Sequence, residues 1–222
     1  MKYKQMKRTL SLILLMMLVF QAANAQQVKF TKPDHKQLKK EISGKNAVAY
    51  NRLMQRFVDN DTTLTLADYH KLYYGSAFKA GYNPMNETPL RDSLYRVFVK
   101  AQSGEVDFGK VKSLAQRILD QIPFDIRTLD PASYACRMLN DNATAAKIEF
   151  KMGRLIETIY NSGDGLTEET PFIVVLVANE TDVIRALGFT LAGTTSIQSG
   201  KLHYRKVTEN EFGVQGFYFK VL

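Results

Sequence analysis

Apolar residues recur at spacings of three and four along most of the chain between residues 46 and 160, a pattern typical of amphipathic helices that pack on a core. Polar, proline- and glycine-containing segments interrupt the pattern at intervals and divide it into six predicted helices. The six are expected to begin at Asn46, after a capping Thr65, at Pro89, near Val106, at Thr128 or Asp130, and at Asn142, and the last is expected to end near Tyr160.

The predicted helices are joined in pairs by short turns, as in a solenoid of helical repeats. The best match is the 34-residue tetratricopeptide period, with Pro123 as a closing proline and a new unit beginning near Ile126. This register places the small residues Ser133 and Ala145 where two helices approach closely. The helices are therefore expected to be tetratricopeptide-like, and a plain helical bundle remains the alternative.

After Tyr160 the apolar period changes from helical to two-residue, which predicts strands. The run FIVVLV is expected to form a strand that is covered on both faces. A short helix capped by Asn179 and ended by Gly188 should follow. Three more strands are predicted, at Phe189 to Ile197, Lys201 to Thr208 and Val214 to Leu222. The predicted fold class is α+β: tetratricopeptide-like helical hairpins followed by a small, mostly antiparallel β-sheet with one short helix.

The segment NSGDGLTEETPF, from Asn161 to Phe172, connects the two kinds of pattern. A calcium loop beginning at Asn161 would need an oxygen ligand at its third position, where Gly163 stands. A phosphate loop would need a strand before the glycines and a helix after them, which is the reverse of the order predicted here. We interpret the segment as a corner in which Gly163 takes the left-handed conformation that ends a helix.

The first 25 residues have the features of a secretory signal peptide. Basic residues precede an apolar stretch from Leu10 to Phe20, and the small-residue pattern before Ala25 predicts cleavage there. Since four of the 30 basic residues lie in this segment, cleavage would reduce the net charge from +8 to +4. The remaining charges are mixed in sign, so nucleic acid is not an expected partner, and no transmembrane segment is expected after cleavage.

The sequence contains no recognisable catalytic, metal or cofactor motif. Its three histidines, His35, His70 and His203, are far apart and are expected at the surface or in helix caps. Its one cysteine, Cys136, follows the apolar face of a predicted helix and is expected in the core. We therefore expect no catalytic residue, no metal site and no cofactor.

Two groups of residues are nevertheless candidates for an interaction or junction site. The tyrosines Tyr73, Tyr74 and Tyr82 suggest a sugar-stacking or peptide-binding surface, although helical spacing favours a core position. The carboxylates Asp164, Glu168 and Glu169 lie together in sequence at the predicted corner and are the candidates for a catalytic cleft.

Three segments also carry a resemblance to a known family: NDTTLTLADYHKLYYGSAF, YNP and SGDGLTEETPFIVVLVANETDVIRALGF. They resemble a family of secreted proteins from Gram-negative gut-type bacteria that is known only as a domain of unknown function. The resemblance implies the fold and an exported location. It implies no activity, since that family has no assigned catalytic residues.

These observations predict a signal peptide at residues 1–25, a helical-repeat-like region at 26–162 and a small α+β region at 163–222 that packs on the helices. The favoured function is that of an exported, periplasmic or extracellular, non-enzymatic module for an unknown protein or peptide partner. The alternative is an extracytoplasmic hydrolase that uses carboxylates at the junction of helices and sheet.

Overall fold

The computed structural model describes residues 30–100, 106–193 and 196–222, and Thr31–Leu222 form one unit. The predicted signal peptide lies outside the described residues, as does part of the predicted strand from Phe189 to Ile197. The helices are α1 His35–Ile42, α2 Ala47–Val58, α3 Leu66–Ser76, α4 Leu90–Lys100, α5 Phe108–Gln121, α6 Ile126–Met138, α7 Asn142–Tyr160 and α8 Ala178–Ala186, with a 3-10 turn at Gly44–Asn46. The strands are β1 Phe172–Val174, β2 Ser196–Ser199, β3 Leu202–Lys206 and β4 Gly216–Val221.

The predicted α+β class is confirmed. The four strands form one sheet in the order β1-β4-β3-β2, in which β1 pairs with β4 in parallel and the other two pairs are antiparallel. The sheet follows the helices in sequence, with α8 between β1 and β2.

Side-chain caps fix several helix starts where the sequence predicts them. Thr65 and Asp68 form a reciprocal capping box at α3, and Asp141 accepts a hydrogen bond from the backbone of Thr144 at α7. The predicted start of α6 is wrong, because this helix begins at Ile126 and carries Pro131 in its interior. Helix α1 was not predicted, since only Leu38 and Ile42 of its eight residues are buried and apolar.

The helices and the sheet share one hydrophobic core. Tyr73 and Tyr74 of α3 are fully buried, and the Tyr74 hydroxyl donates to the backbone oxygen of Ile173 in β1 at 3.2 Å. On the sheet, the Phe172 ring packs against that of Phe219 at 5.6 Å between centroids. Cys136 is buried, as predicted, and burial raises the pKa of its thiol.

The strand predicted for FIVVLV is shorter than expected, since only Phe172–Val174 pair with β4. The chain then leaves the sheet, because the Val175 amide donates to the Tyr73 hydroxyl and the Val177 amide to the Pro84 carbonyl. Asn179 does not cap α8 as predicted. It is completely buried within the helix, and Val177 occupies the N-cap position without a side-chain hydrogen bond.

The corner after α7 uses its two glycines differently from the prediction. Gly165, not Gly163, has the left-handed backbone, with φ of 70°. Gly163 is required for space, since a Cβ atom there would collide with the carbonyl oxygens of Thr170 and Pro171. The Gly188 prediction is confirmed, because this residue follows α8 with φ of 84°.

Candidate functional site

The candidate site is the outer face of α4, which has a groove on each side. One groove lies between α4 and α5, and the other lies between α4, α6 and Arg185 of α8. Tyr95 lines both grooves. We call the two grooves together the α4 surface.

The groove between α4 and α5 has a volume of about 570 Å³ and is basic. Arg96 of α4 and Lys110 and Arg117 of α5 line it, and no acidic side chain does so among the described residues. Lys110, Leu114 and Arg117 have the spacing i, i+4, i+7 and therefore share one face of α5. At 1.5 Å per residue, Lys110 and Arg117 are separated by roughly 10 Å along the helix axis.

The second groove has a volume of about 370 Å³ and receives one arginine from each of three helices, namely Arg91, Arg127 and Arg185. Asp92 and Asp130 also line it. Among the described residues, six basic and two acidic side chains therefore line the two grooves. Buried Asp125 and Asp182 offset the charges of Arg91 and Arg127, so the positive charge of the α4 surface lies mainly in the groove between α4 and α5.

Two buried carboxylates hold two of these arginines in place. The Arg91 Nε atom lies 3.1 Å from Asp125, which has no exposed surface and also accepts a 2.6 Å hydrogen bond from Thr128. Arg127 lies 3.6 Å from Asp182.

The protein engages other atoms of both guanidinium groups. Arg91 Nη1 lies 3.5 Å from the Asn86 carbonyl oxygen and its Nη2 atom is buried, whereas Arg127 Nη2 donates to the Ala178 carbonyl at 2.7 Å. Arg127 keeps 36% of its side chain exposed, so of these two arginines it is the one with surface for a ligand.

Burial raises the pKa of Asp182 to about 6, although the nearby Arg127 charge lowers it in part. The Asn179 amide donates to Asp182 at 3.3 Å and to the Phe124 carbonyl at 3.2 Å, and its oxygen accepts a 2.8 Å bond from Tyr73. A chain of buried hydrogen bonds thus connects the second groove to the centre of the core.

The α4 surface also carries aromatic side chains. Tyr95 is 70% exposed, and the neighbouring Phe98 packs edge-on against Tyr134, with 5.8 Å between ring centroids. Phe108 contacts the same tyrosine at 5.8 Å. Exposed aromatic rings beside arginines are the residue types enriched at protein interfaces.

The structure places the three predicted tyrosines mainly in the core. Tyr73 and Tyr74 are fully buried, and burial raises the pKa of both hydroxyls. Tyr82 is half-buried and donates to the carbonyls of Val175 and Leu222 at 2.7 and 2.9 Å. Only Tyr82 of this group retains surface for a ligand.

The three predicted carboxylates belong to the corner segment. Asp164 organises the turn by accepting hydrogen bonds from the Leu166 amide and the Thr170 hydroxyl. Glu168 and Glu169 are exposed, and a hydrogen bond from Thr167 lowers the pKa of Glu169. A general acid needs the opposite shift, so this arrangement gives no support to the hydrolase hypothesis.

His203 is partly buried in the sheet, so its predicted surface position is wrong. Its Nδ1 atom lies 2.6 Å from the Glu180 carboxylate, which has no exposed surface, and Arg205 lies 3.8 Å from the same carboxylate. Burial raises the pKa of Glu180, and its pairing with His203 opposes that effect. These three side chains join α8 to β3.

Within the described ranges, no group of three or more histidine, cysteine or acidic side chains is placed to hold a metal ion. Of the helices in those same ranges, none has both the length and the apolar character needed to cross a bilayer.

The sequence did not identify the residues of the α4 surface, since its six basic side chains are spread from Arg91 to Arg185. The i, i+4, i+7 spacing in α5 is the one local signal that indicates a shared face. No curated protein and no solved structure matches the chain. A family model does match residues 36–222, and the chain belongs to that family, which is described as "Domain of unknown function (DUF4919)".

Proposed function

We propose that this protein is an exported, non-enzymatic interaction module that binds an acidic segment of a partner protein at the α4 surface. The supporting observation is the excess of basic over acidic side chains around two grooves that share the exposed ring of Tyr95.

The groove between α4 and α5 fits an acidic peptide by its charge and its apolar residues. Leu90, Val97 and Leu114 give it apolar surface, and the basic side chains supply donors to carboxylates. In a polyproline II conformation, which has three residues per turn and rises about 3.1 Å per residue, two acids three residues apart share one face and lie about 9 Å apart. This separation is close to the roughly 10 Å between Lys110 and Arg117 along α5.

Because these basic side chains are exposed, they contribute mainly to the association rate and to specificity. Screening acts over about 10 Å at 0.1 M salt, so affinity should fall as salt rises. Arg127 should add a directional hydrogen bond, since the buried Asp182 holds it in place and 36% of its side chain is exposed.

The test is the binding of a fluorescent twelve-residue peptide with glutamate at every third position and serine or glycine elsewhere. The variant Arg96→Glu/Lys110→Glu/Arg117→Glu should bind it at least tenfold more weakly than the unaltered protein. The control Lys36→Glu/Lys40→Glu/Lys147→Glu makes the same change in net charge at exposed sites on α1 and α7 and should change the affinity less than twofold.

Equal weakening by the two triple variants would contradict the proposal, because the peptide would then respond only to net charge. A single-stranded oligonucleotide of equal charge is the second comparison. If it binds at the α4 surface as tightly as the peptide, the site has no preference for a protein segment and the proposal fails.

Export is supported by the charge and apolar pattern of residues 1–25. Its measurement is the amino-terminal sequence of protein purified from the envelope and medium of the producing cell. The expected first residue is Gln26, and an unprocessed chain retained in the cytoplasm would contradict export.

A further inference from the structure

A second cleft has a chemistry unlike that of the α4 surface. It lies between α2, the end of α3 and the connection from α5 to α6, and its volume is about 260 Å³. Four carboxamides line it: Asn51, Asn83, Asn86 and Gln121. Lys79 is the one charged residue among the described residues that line it. We call it the carboxamide cleft.

The carboxamides retain much of their hydrogen-bonding capacity. Each has two N–H donors and an acceptor oxygen with two lone pairs. The Asn51 oxygen accepts one bond from Lys79 at 3.3 Å, and the Asn83 oxygen accepts one from the Met85 amide at 3.0 Å. The side-chain amides of Asn86 and Gln121 have no protein partner within the described part of the chain.

Aromatic and apolar side chains form the rest of the wall. The Tyr50 hydroxyl donates to the Leu72 carbonyl, and the Tyr82 hydroxyl donates to the carbonyls of Val175 and Leu222. Both rings are therefore fixed in position before any ligand binds. Met54 and the half-buried ring of Tyr82 present apolar surface beside the carboxamides.

We infer that the carboxamide cleft binds one neutral sugar unit. Sugar hydroxyls both donate and accept hydrogen bonds, as carboxamides do, and the C–H faces of a sugar ring pack on aromatic and apolar side chains. The one charged group among the described lining residues, the Lys79 ammonium, is engaged by the protein, since it donates to Asn51 at 3.3 Å and lies 5.1 Å from the centroid of the Tyr50 ring.

The size of the cleft also favours one sugar unit. Its 260 Å³ holds about nine water molecules at ~30 Å³ each, and it is smaller than the roughly 300–1,000 Å³ of pockets that enclose drug-sized ligands. The cleft therefore suits a single ring, either as a free sugar or as one unit of a longer chain.

This inference does not depend on the proposed function. The lining residues of the carboxamide cleft and those of the α4 surface do not overlap. Binding of a neutral sugar should also be insensitive to salt, whereas binding of an acidic peptide should weaken as salt rises.

The test is saturation-transfer NMR with glucose, galactose, mannose, N-acetylglucosamine and N-acetylgalactosamine at millimolar concentration, each in low and in high salt. At least one should receive saturation in both. Gln121→Leu and Asn86→Leu should each weaken that sugar at least fivefold. Gln116→Leu, an exposed glutamine on the same helix α5, should change its affinity less than twofold.

Three results would overturn the inference. The first is that none of the five sugars receives saturation, and the second is that both cleft variants and the Gln116→Leu control bind the sugar with equal affinity. The third is that a triglycine peptide with neutral blocked ends binds in the cleft, as shown by loss of its signal in Gln121→Leu, while the sugars do not. The occupant would then be a peptide backbone.

Discussion

At the level of single residues, buried carboxylates paired with arginines connect separate elements of the protein. Asp125, Glu180 and Asp182 all lie in the core, and each has an arginine within 4 Å. Asp125 and Asp182 each lie behind an arginine of the α4 surface. Removing one member of a buried ion pair is costly, because the other charge is left without compensation.

Asp182 should make the stability of the protein depend on pH. Its pKa rises from 3.8 to about 6 on folding, mainly by burial, so between these values the folded state binds more protons than the unfolded state. The stabilisation that protonated Asp182 gives the folded state is fully present below pH 4 and is lost as pH rises to about 6. A shift of two units corresponds to about 3 kcal/mol. Asparagine does not titrate, so the free energy of unfolding of Asp182→Asn should not show this fall between pH 4 and 6.

The measurement is urea unfolding of both proteins at pH 4, 5, 6 and 7. The stability of Asp182→Asn relative to the unaltered protein should rise by up to about 3 kcal/mol across that range. Asp120→Asn, on the exposed surface of α5, is the control, because it shows how the free energy of unfolding changes when an exposed carboxylate is removed. Parallel curves for the unaltered protein and Asp182→Asn would contradict the assignment.

Sequence patterns found few of the residues that form the candidate site. Helical spacing does favour the core position that Tyr73 and Tyr74 occupy. It does not reveal that Arg91, Arg127 and Arg185 meet at one groove, because they belong to three helices that are not adjacent in sequence. Contacts of this kind depend on packing, and local periodicity carries no information about them.

At the level of elements, the corner between α7 and β1 is defined by close backbone contact. Gly163→Ala should destabilise the protein by about 2 kcal/mol, since the added methyl group would displace the carbonyls of Thr170 and Pro171. Gly153→Ala is the matched control. It lies on the exposed face of α7 with open space around it, and it should stabilise by about 0.5–1 kcal/mol.

Chemical unfolding of the two variants measures both effects, which should have opposite signs. If Gly163→Ala were also stabilising, the close approach of the two backbone segments would be absent in solution. The same corner would then have no need for a glycine at this position.

Local patterns predicted most helices but not the details of the sheet. The start and end of α7 agree with the prediction, because Asp141 caps the helix and a long apolar face follows. The β1 run is continuously apolar over six residues, yet only three pair with β4. Val175 and Leu176 are instead buried in a bend that follows the strand, so a continuous apolar run did not distinguish a strand from a buried bend.

At the level of the whole molecule, Tyr73 joins the helices to the sheet. Its hydroxyl donates to the Asn179 oxygen at 2.8 Å and accepts from the Val175 amide at 3.2 Å. One side chain of α3 thus holds both α8 and the end of β1. The second groove of the α4 surface depends on the same chain, since Asn179 also contacts Asp182.

Tyr73→Phe should therefore destabilise the helices and the sheet together. The change leaves two buried polar groups without partners, each at about 1–3 kcal/mol, so a total loss of about 2–6 kcal/mol is expected. Hydrogen exchange measured by mass spectrometry should show the same loss of protection in peptides from α3 and from β4, because Thr31–Leu222 form one unit.

The control is Tyr134→Phe, in which the altered ring is partly exposed. It should leave the free energy of unfolding and the protection of both peptides unchanged. Loss of protection confined to the helical peptides would mean that the sheet remains folded when the helices open, and the link through Tyr73 would then not couple them.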